Sequence, residues 1–139
     1  CKARFVAESY TQTYGIDYLE TFAPIAKMNT VRTLLSLTAN YGWELQQFDV
    51  KNAFLHGELE EEIYMEVPPG YGNNLTAHIV CKLKKALYGL IQSPRAWLGR
   101  FAKFMIAMGY RLNQGDHMLF IKHSPSRGVT ILLVHVDDL

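Results

Sequence analysis

Cysteine is scarce in this chain, with Cys1 and Cys81 the two examples among 139 residues. Two cysteines cannot build a disulfide framework or, alone, a zinc ligand set. A reduced, intracellular protein is the expectation. Long apolar runs are missing as well. None approaches the ~18 residues that a spanning helix needs, and no segment has the layout of a signal peptide, so no membrane partner is expected. Low-complexity tracts are also absent. With 49% hydrophobic, 12% aromatic and 19% charged residues, the composition is that of a folded chain rather than a disordered one. A length of 139 residues suits one domain.

Net charge is nearly absent too, at +1, but its distribution is uneven. No acidic residue lies between Glu66 and Asp116, whereas Lys82, Lys84, Lys85, Arg95, Arg100, Lys103 and Arg111 all do. Glu58, Glu60, Glu61, Glu62 and Glu66 crowd into one short stretch just before. A basic half suits a polyanion such as a nucleic-acid backbone, through phosphate neutralisation and counterion release. The competing reading is an ordinary solvated face.

Periodicity and punctuation outline the elements. Residues 3–7 (A-R-F-V-A) fit a strand, and residues 11–27, broken by Gly15 and Pro24, fit a loop. Asn29 or Thr30 can cap a helix whose apolar stripe runs through Val31, Leu34, Leu35, Leu37 and Thr38 and stops before Gly42. Residues 43–49 (W-E-L-Q-Q-F-D) alternate and predict a strand ending on a carboxylate. Residues 50–56 predict a helical turn closed by Gly57, and residues 62–67 and 79–83 predict short strands. A second helix follows, with Ser93 as cap, Pro94 at its first position, Gly109 at its end, and an apolar face of Trp97, Leu98, Phe101, Ala102, Met105, Ile106 and Met108. Residues 118–122 and 129–136 predict strands joined by a turn. Helices mixed with hairpin-like neighbours make an α+β fold with a mainly antiparallel sheet the expectation.

Three carboxylates stand at strand ends. Asp49 closes one apolar strand, and Asp137 with Asp138 closes another. If those strands lie side by side, the three repel one another unless a cation sits between them. Magnesium takes such oxygen ligands together with phosphates and water. Two ions about 4 Å apart can activate an attacking hydroxyl and stabilise a leaving pyrophosphate. A bare D-D pair is otherwise turn chemistry; what argues against that here is the apolar run T-I-L-L-V-H-V that aims it. The histidines at 56, 78, 117, 123 and 135 form no nucleophilic or zinc arrangement, and His117 beside Asp116 reads as a local hydrogen-bonding pair.

Several segments, in order and across essentially the whole chain, resemble the reverse transcriptase of copia-type LTR retrotransposons. They are F-D-V-K-N-A-F-L-H-G at residues 48–57, E-E-E-I-Y-M-E-V-P-P-G-Y, K-L-K-K-A-L-Y-G-L-I-Q-S-P-R-A-W at residues 82–97, D-H-M-L-F at residues 116–120 and the closing V-D-D-L. The opening K-A-R-F-V-A and T-Y-G-I-D-Y-L-E-T-F-A-P-I-A-K-M fit the same family. The resemblance implies a polymerase palm, an antiparallel sheet packed on helices, with part of the fingers. Residues 1 to about 45 would be fingers and first helix, and about 46 to 139 palm with inserted fingers elements. It implies RNA-directed DNA polymerase activity with two Mg2+ ions, or Mn2+ in their place. The partners would be an RNA or DNA template with its primer, deoxynucleoside triphosphates and the rest of a Pol polyprotein, inside a cytoplasmic virus-like particle.

Roles then fall on matching positions. Asp49, Asp137 and Asp138 would be the metal-binding triad, with the Val50 carbonyl as a further ligand. Phe54 would be the aromatic gate that presses on the sugar and excludes a 2′-hydroxyl. Gly89 would let backbone approach nucleotide or template, and Gln92, Lys2 and Arg4 would contact the nucleotide. Ser93, Arg95, Lys84, Lys85 and His135 would face nucleic acid. Three positions depart from the pattern: His135 stands where the family has Tyr, Ile91 where it has Lys, and Leu98 where an aromatic is common. Those departures keep a second expectation open, a catalytically dead, nucleic-acid-binding remnant. A metal-dependent nuclease is a third, with no use for the aromatic after Asp49. The chain begins at Cys1 and stops one residue past Asp138, so the expectation is a piece of a longer polypeptide, without thumb, connection or RNase H regions and inactive in isolation.

Overall fold

The computed structural model describes residues 6–8, 11–18, 24–68, 79–126 and 128–136. Helix α1 spans Met28–Tyr41 and ends where Gly42 turns left-handed, its N–H bonding back to the Thr38 carbonyl. Val31, Leu34, Leu37 and Thr38 are half-buried, whereas Leu35 stays exposed, so the stripe is narrower than its spacing predicts. The cap differs more. Lys27 occupies the cap position without a side-chain bond, and the capping group comes from far along the chain. Asp116 Oδ2 accepts from the Lys27 N–H at 3.1 Å and from the Thr30 hydroxyl at 2.6 Å. Its Oδ1 accepts from the Met118 N–H at 3.0 Å.

Residues 43–49 form no strand. Trp43, Leu45 and Phe48 are 46%, 65% and 76% exposed. Alternation marks a strand only where a neighbour supplies the other half of the ladder, and no described residue pairs with this stretch. A 3-10 turn at Ala53–His56 follows and is closed by the Gly57 N–H on the Phe54 carbonyl, as the sequence predicts. Strands β1 (Tyr64–Glu66) and β2 (Val80–Lys82) pair antiparallel, with Met65 opposite Cys81.

Helix α2 spans Ser93–Ala107. Gln92 takes the cap position that Ser93 is expected to hold, and the Ser93 hydroxyl instead donates to the Leu87 carbonyl. Trp97 and Met105 are buried and Phe101 half-buried, while Ile106 and Met108 face outward, contrary to the expected face. After the left-handed Gly109 the chain enters β3 (Arg111–Leu112), a short strand without a sequence signal, and then β4 (Leu119–His123) and β5 (Val129–Leu133). The three form one antiparallel sheet, ordered β3-β4-β5, with Phe120 opposite Leu132.

The core lies between α2 and this sheet. Ala26, Phe54, Trp97, Met105, Met118, Phe120, Val134 and Val136 belong to one buried cluster. Phe101 stacks on Trp97 at 5.1 Å and meets Phe120 edge-on at 5.8 Å. Full burial of each such side chain contributes about 1.5–3 kcal/mol, which makes this cluster the main stabiliser of the sheet–helix unit. The arrangement is α+β, with two helices and antiparallel sheets among the described residues.

Candidate functional site

Asp49 and Val50 are solvent-exposed and immediately precede the turn that carries Phe54. Asn52 enables that turn by adopting a left-handed φ of 55°, a conformation Asn tolerates better than most residues. At the far end of the sheet the chain continues past β5 in register, the Val134 N–H reaching the Met118 carbonyl at 2.9 Å. Val134 and Val136 turn inward and His135 outward, so the alternation holds up to the residue before Asp137. Asp137 and Asp138 themselves lie outside the described residues, as do Lys2 and Arg4. Among the described residues no group of three His, Cys, Asp or Glu side chains could hold a metal ion. Asp49 is the described carboxylate of the expected triad. Its exposed carboxylate, like the backbone carbonyl of the next residue, Val50, is a hard oxygen donor of the kind a divalent magnesium or manganese ion takes.

Phe54 is 5% exposed and meets Tyr88 at 4.9 Å between ring centroids. Tyr88 opens the loop that leads into α2. There Gly89 has φ +87°, and a Cβ on it would lie 1.9 Å from the Ala7 carbonyl oxygen. The Ala7 N–H in turn donates to the Tyr88 carbonyl at 2.7 Å. The groups packed closest to Gly89 are the backbone of Ala7 and the side chain of Val6.

Gln92 is 3% exposed and Ser93 fully buried. The Gln92 carboxamide is engaged on both sides, by Gln12 at 3.0 Å and by the Asp17 carbonyl at 3.2 Å. Gln12 is a residue that the sequence reading missed, and no local pattern marks it. Lys84, Lys85, Arg95 and His135 are exposed. The basic half is partly engaged internally. Lys82 pairs with Glu62, holding that carboxyl below its ordinary range while its own ammonium is raised. Arg100 bonds Glu58 at 3.0 Å and the His56 carbonyl at 3.1 Å. A cleft of about 300 Å³ lies between the Glu58–Glu61 segment and the Arg95, Gly99 and Lys103 side of α2.

With this geometry in view, relatives are informative. The family described as "Reverse transcriptase (RNA-dependent DNA polymerase)" matches residues 1–139. The chain is 47% identical over 138 residues to the retrovirus-related Pol polyprotein from transposon TNT 1-94 of Nicotiana tabacum. It is 41% identical over 138 residues to that from transposon RE1 of Arabidopsis thaliana, and 35% identical over 144 residues to the transposon Ty1-ER2 Gag-Pol polyprotein of Saccharomyces cerevisiae. Each alignment covers 99% of this chain but only 10%, 9% and 8% of the respective polyprotein. No solved structure matches the chain. No helix among the described residues is long and apolar enough to cross a membrane. A family match from the first residue to the last, with transposon Pol relatives at up to 47% identity, means that this chain belongs to the reverse transcriptase family of copia-type retrotransposons.

Proposed function

We propose that the chain is the palm, with part of the fingers, of an RNA-directed DNA polymerase. Residues 1 to about 45 would be fingers and first helix, and about 46 to 139 the palm with inserted fingers elements. The reaction is attack of a primer 3′-hydroxyl on the α-phosphate of a deoxynucleoside triphosphate, releasing pyrophosphate. The observation that carries the reading is that Phe54, five residues after Asp49, and Val136, one residue before Asp137, belong to the same buried cluster. That cluster ties the turn behind one carboxylate to the strand that leads to the other two.

Asp49, Asp137 and Asp138, with the Val50 carbonyl, would hold two Mg2+ ions. Bound there, such ions would supply a lowered pKa for the primer hydroxyl and charge neutralisation for the phosphates. The chain's own residues bind and orient. Phe54, held by Tyr88, limits space at the sugar, and the exposed Lys84 and Lys85 neutralise template phosphates. Template, primer, nucleotides and the remainder of the Pol polyprotein are the partners, in the setting of a virus-like particle.

Primer extension on an RNA template by the full-length protein that carries this chain tests the reading. Deoxynucleotide incorporation should depend on Mg2+ and fall on the order of a thousandfold or more in Asp49→Asn. Template binding without Mg2+-dependent incorporation would instead identify a non-catalytic remnant.

A further inference from the structure

Gln12 and Gln92 are joined to two backbone groups in one directional chain. The Ile91 N–H donates to Gln12 Oε1 at 3.0 Å. Gln12 Nε2 donates to Gln92 Oε1 at 3.0 Å, and Gln92 Nε2 donates to the Asp17 carbonyl at 3.2 Å. The two ends fix the direction, because a backbone N–H can only donate and a carbonyl can only accept. Neither amide can therefore flip without placing like atoms together. Asp17 is itself held, since its Oδ2 accepts from the Thr13 N–H at 2.7 Å and its N–H reaches the Thr13 carbonyl at 2.9 Å. Residues 11–18 thus form a turn that closes on itself and docks through the two amides onto the start of α2.

We infer that Gln12 is a positioning residue, acting through Gln92 to hold the Gly89–Ser93 backbone in the place that the reaction requires. The inference rests on the polymerase reading, which sets that backbone against nucleotide and template. It also gives Gln92 a different part from a nucleotide contact. A carboxamide 3% exposed, with its oxygen given to Gln12 and one N–H to Asp17, is an anchor. Amide bonds linked in this way are worth more as a connected set than singly, so loss of either glutamine releases both.

The test is steady-state primer extension with the full-length protein and its Gln12→Leu, Gln92→Leu and doubly substituted forms. Each single substitution should raise KM for the deoxynucleotide about tenfold while kcat stays within about twofold, the size expected from a lost hydrogen bond or two. The double substitution should match a single one rather than their product, because the glutamines act as a unit. An unchanged KM in Gln12→Leu, or effects that multiply, overturns the inference while leaving the polymerase reading intact. If Gln12→Leu does not fold, Gln12→Glu serves instead. It keeps the acceptor for Ile91 but sets oxygen against oxygen at Gln92, so the same rise in KM is expected and an unchanged KM again overturns it. A wild-type protein that incorporates no nucleotide sinks the underlying reading, before any variant is compared.

Discussion

Phe54 and Tyr88 meet ring to ring, with centroids 4.9 Å apart and planes tilted by 53°. The contact joins the turn behind Asp49 to the loop that carries Gly89. Phe54 fills the core, and under the proposed reading it has a second duty, bounding the space where a sugar would sit. The duties separate experimentally, because one is read in stability and the other in substrate choice.

Phe54→Val should lower unfolding stability by roughly 2 kcal/mol, since a buried ring is replaced by a smaller side chain and the neighbours close only part of the gap. In the full-length protein the same substitution should raise ribonucleotide use relative to deoxynucleotide use by about tenfold or more, a change of about 1.4 kcal/mol in discrimination. A lower melting temperature with an unchanged ratio would confine Phe54 to the core.

Gly89→Ala and Gly99→Ala should move stability in opposite directions. At Gly89 the left-handed φ alone costs about 1–2 kcal/mol for a residue with a Cβ, and the clash with the Ala7 carbonyl adds to it. Gly99 lies inside α2 with nothing within 4 Å of a new Cβ, so Ala there should stabilise by about 0.5–1 kcal/mol. Thermal or urea unfolding of the two variants checks the pair.

The contrast between these glycines shows where sequence reasoning stops. The Ser-Pro start and glycine end of α2, the turn closed by Gly57 and the hairpin of β4 and β5 were all readable, because each depends on residues a few positions apart. The Asp116 cap on Thr30 joins positions 86 apart, and the Gln12–Gln92 bond positions 80 apart, so no local pattern announces them. The alternation of residues 43–49 misled for the complementary reason: it records a face suited to burial without recording whether a partner strand is there. The candidate site is proposed from resemblance: its motif residues stand in order along the sequence, whereas Gln12 carries no such signal.

Asp116 should make stability depend on acidity. Burial raises its carboxyl pKa, but hydrogen bonds from Thr30, Met118 and Lys27 outweigh that, and the net result is a pKa below the ordinary carboxylate range. A group lowered in the folded state adds stability above its unfolded pKa of about 3.9, and that stability is lost as pH falls through the lower folded value. Unfolding free energy should therefore drop below about pH 4 in the wild type. Asp116→Asn should be less stable at neutral pH by roughly 2 kcal/mol, having replaced a charged acceptor in a buried cap, and should show a shallower acid dependence. Denaturant melts between acid and neutral pH distinguish the two proteins.

The cations of the basic half should not contribute equally to template binding. Lys82 is paired with Glu62, and Arg100 is shared between Glu58 and the His56 carbonyl, so each must give up a partner within the chain to meet a phosphate. Lys84 and Lys85 are exposed beside them. Each lysine that neutralises a phosphate releases counterions, so its removal reduces the dependence of log binding constant on log salt by about 1. Lys84→Ala and Lys85→Ala in the full-length protein should flatten that dependence, and Lys82→Ala should leave it close to the wild-type slope. Fluorescence anisotropy of a labelled RNA across a salt series measures all three. Equal slopes for every variant would mean that the asymmetry of charge along the chain is a solvated face, with the template held elsewhere.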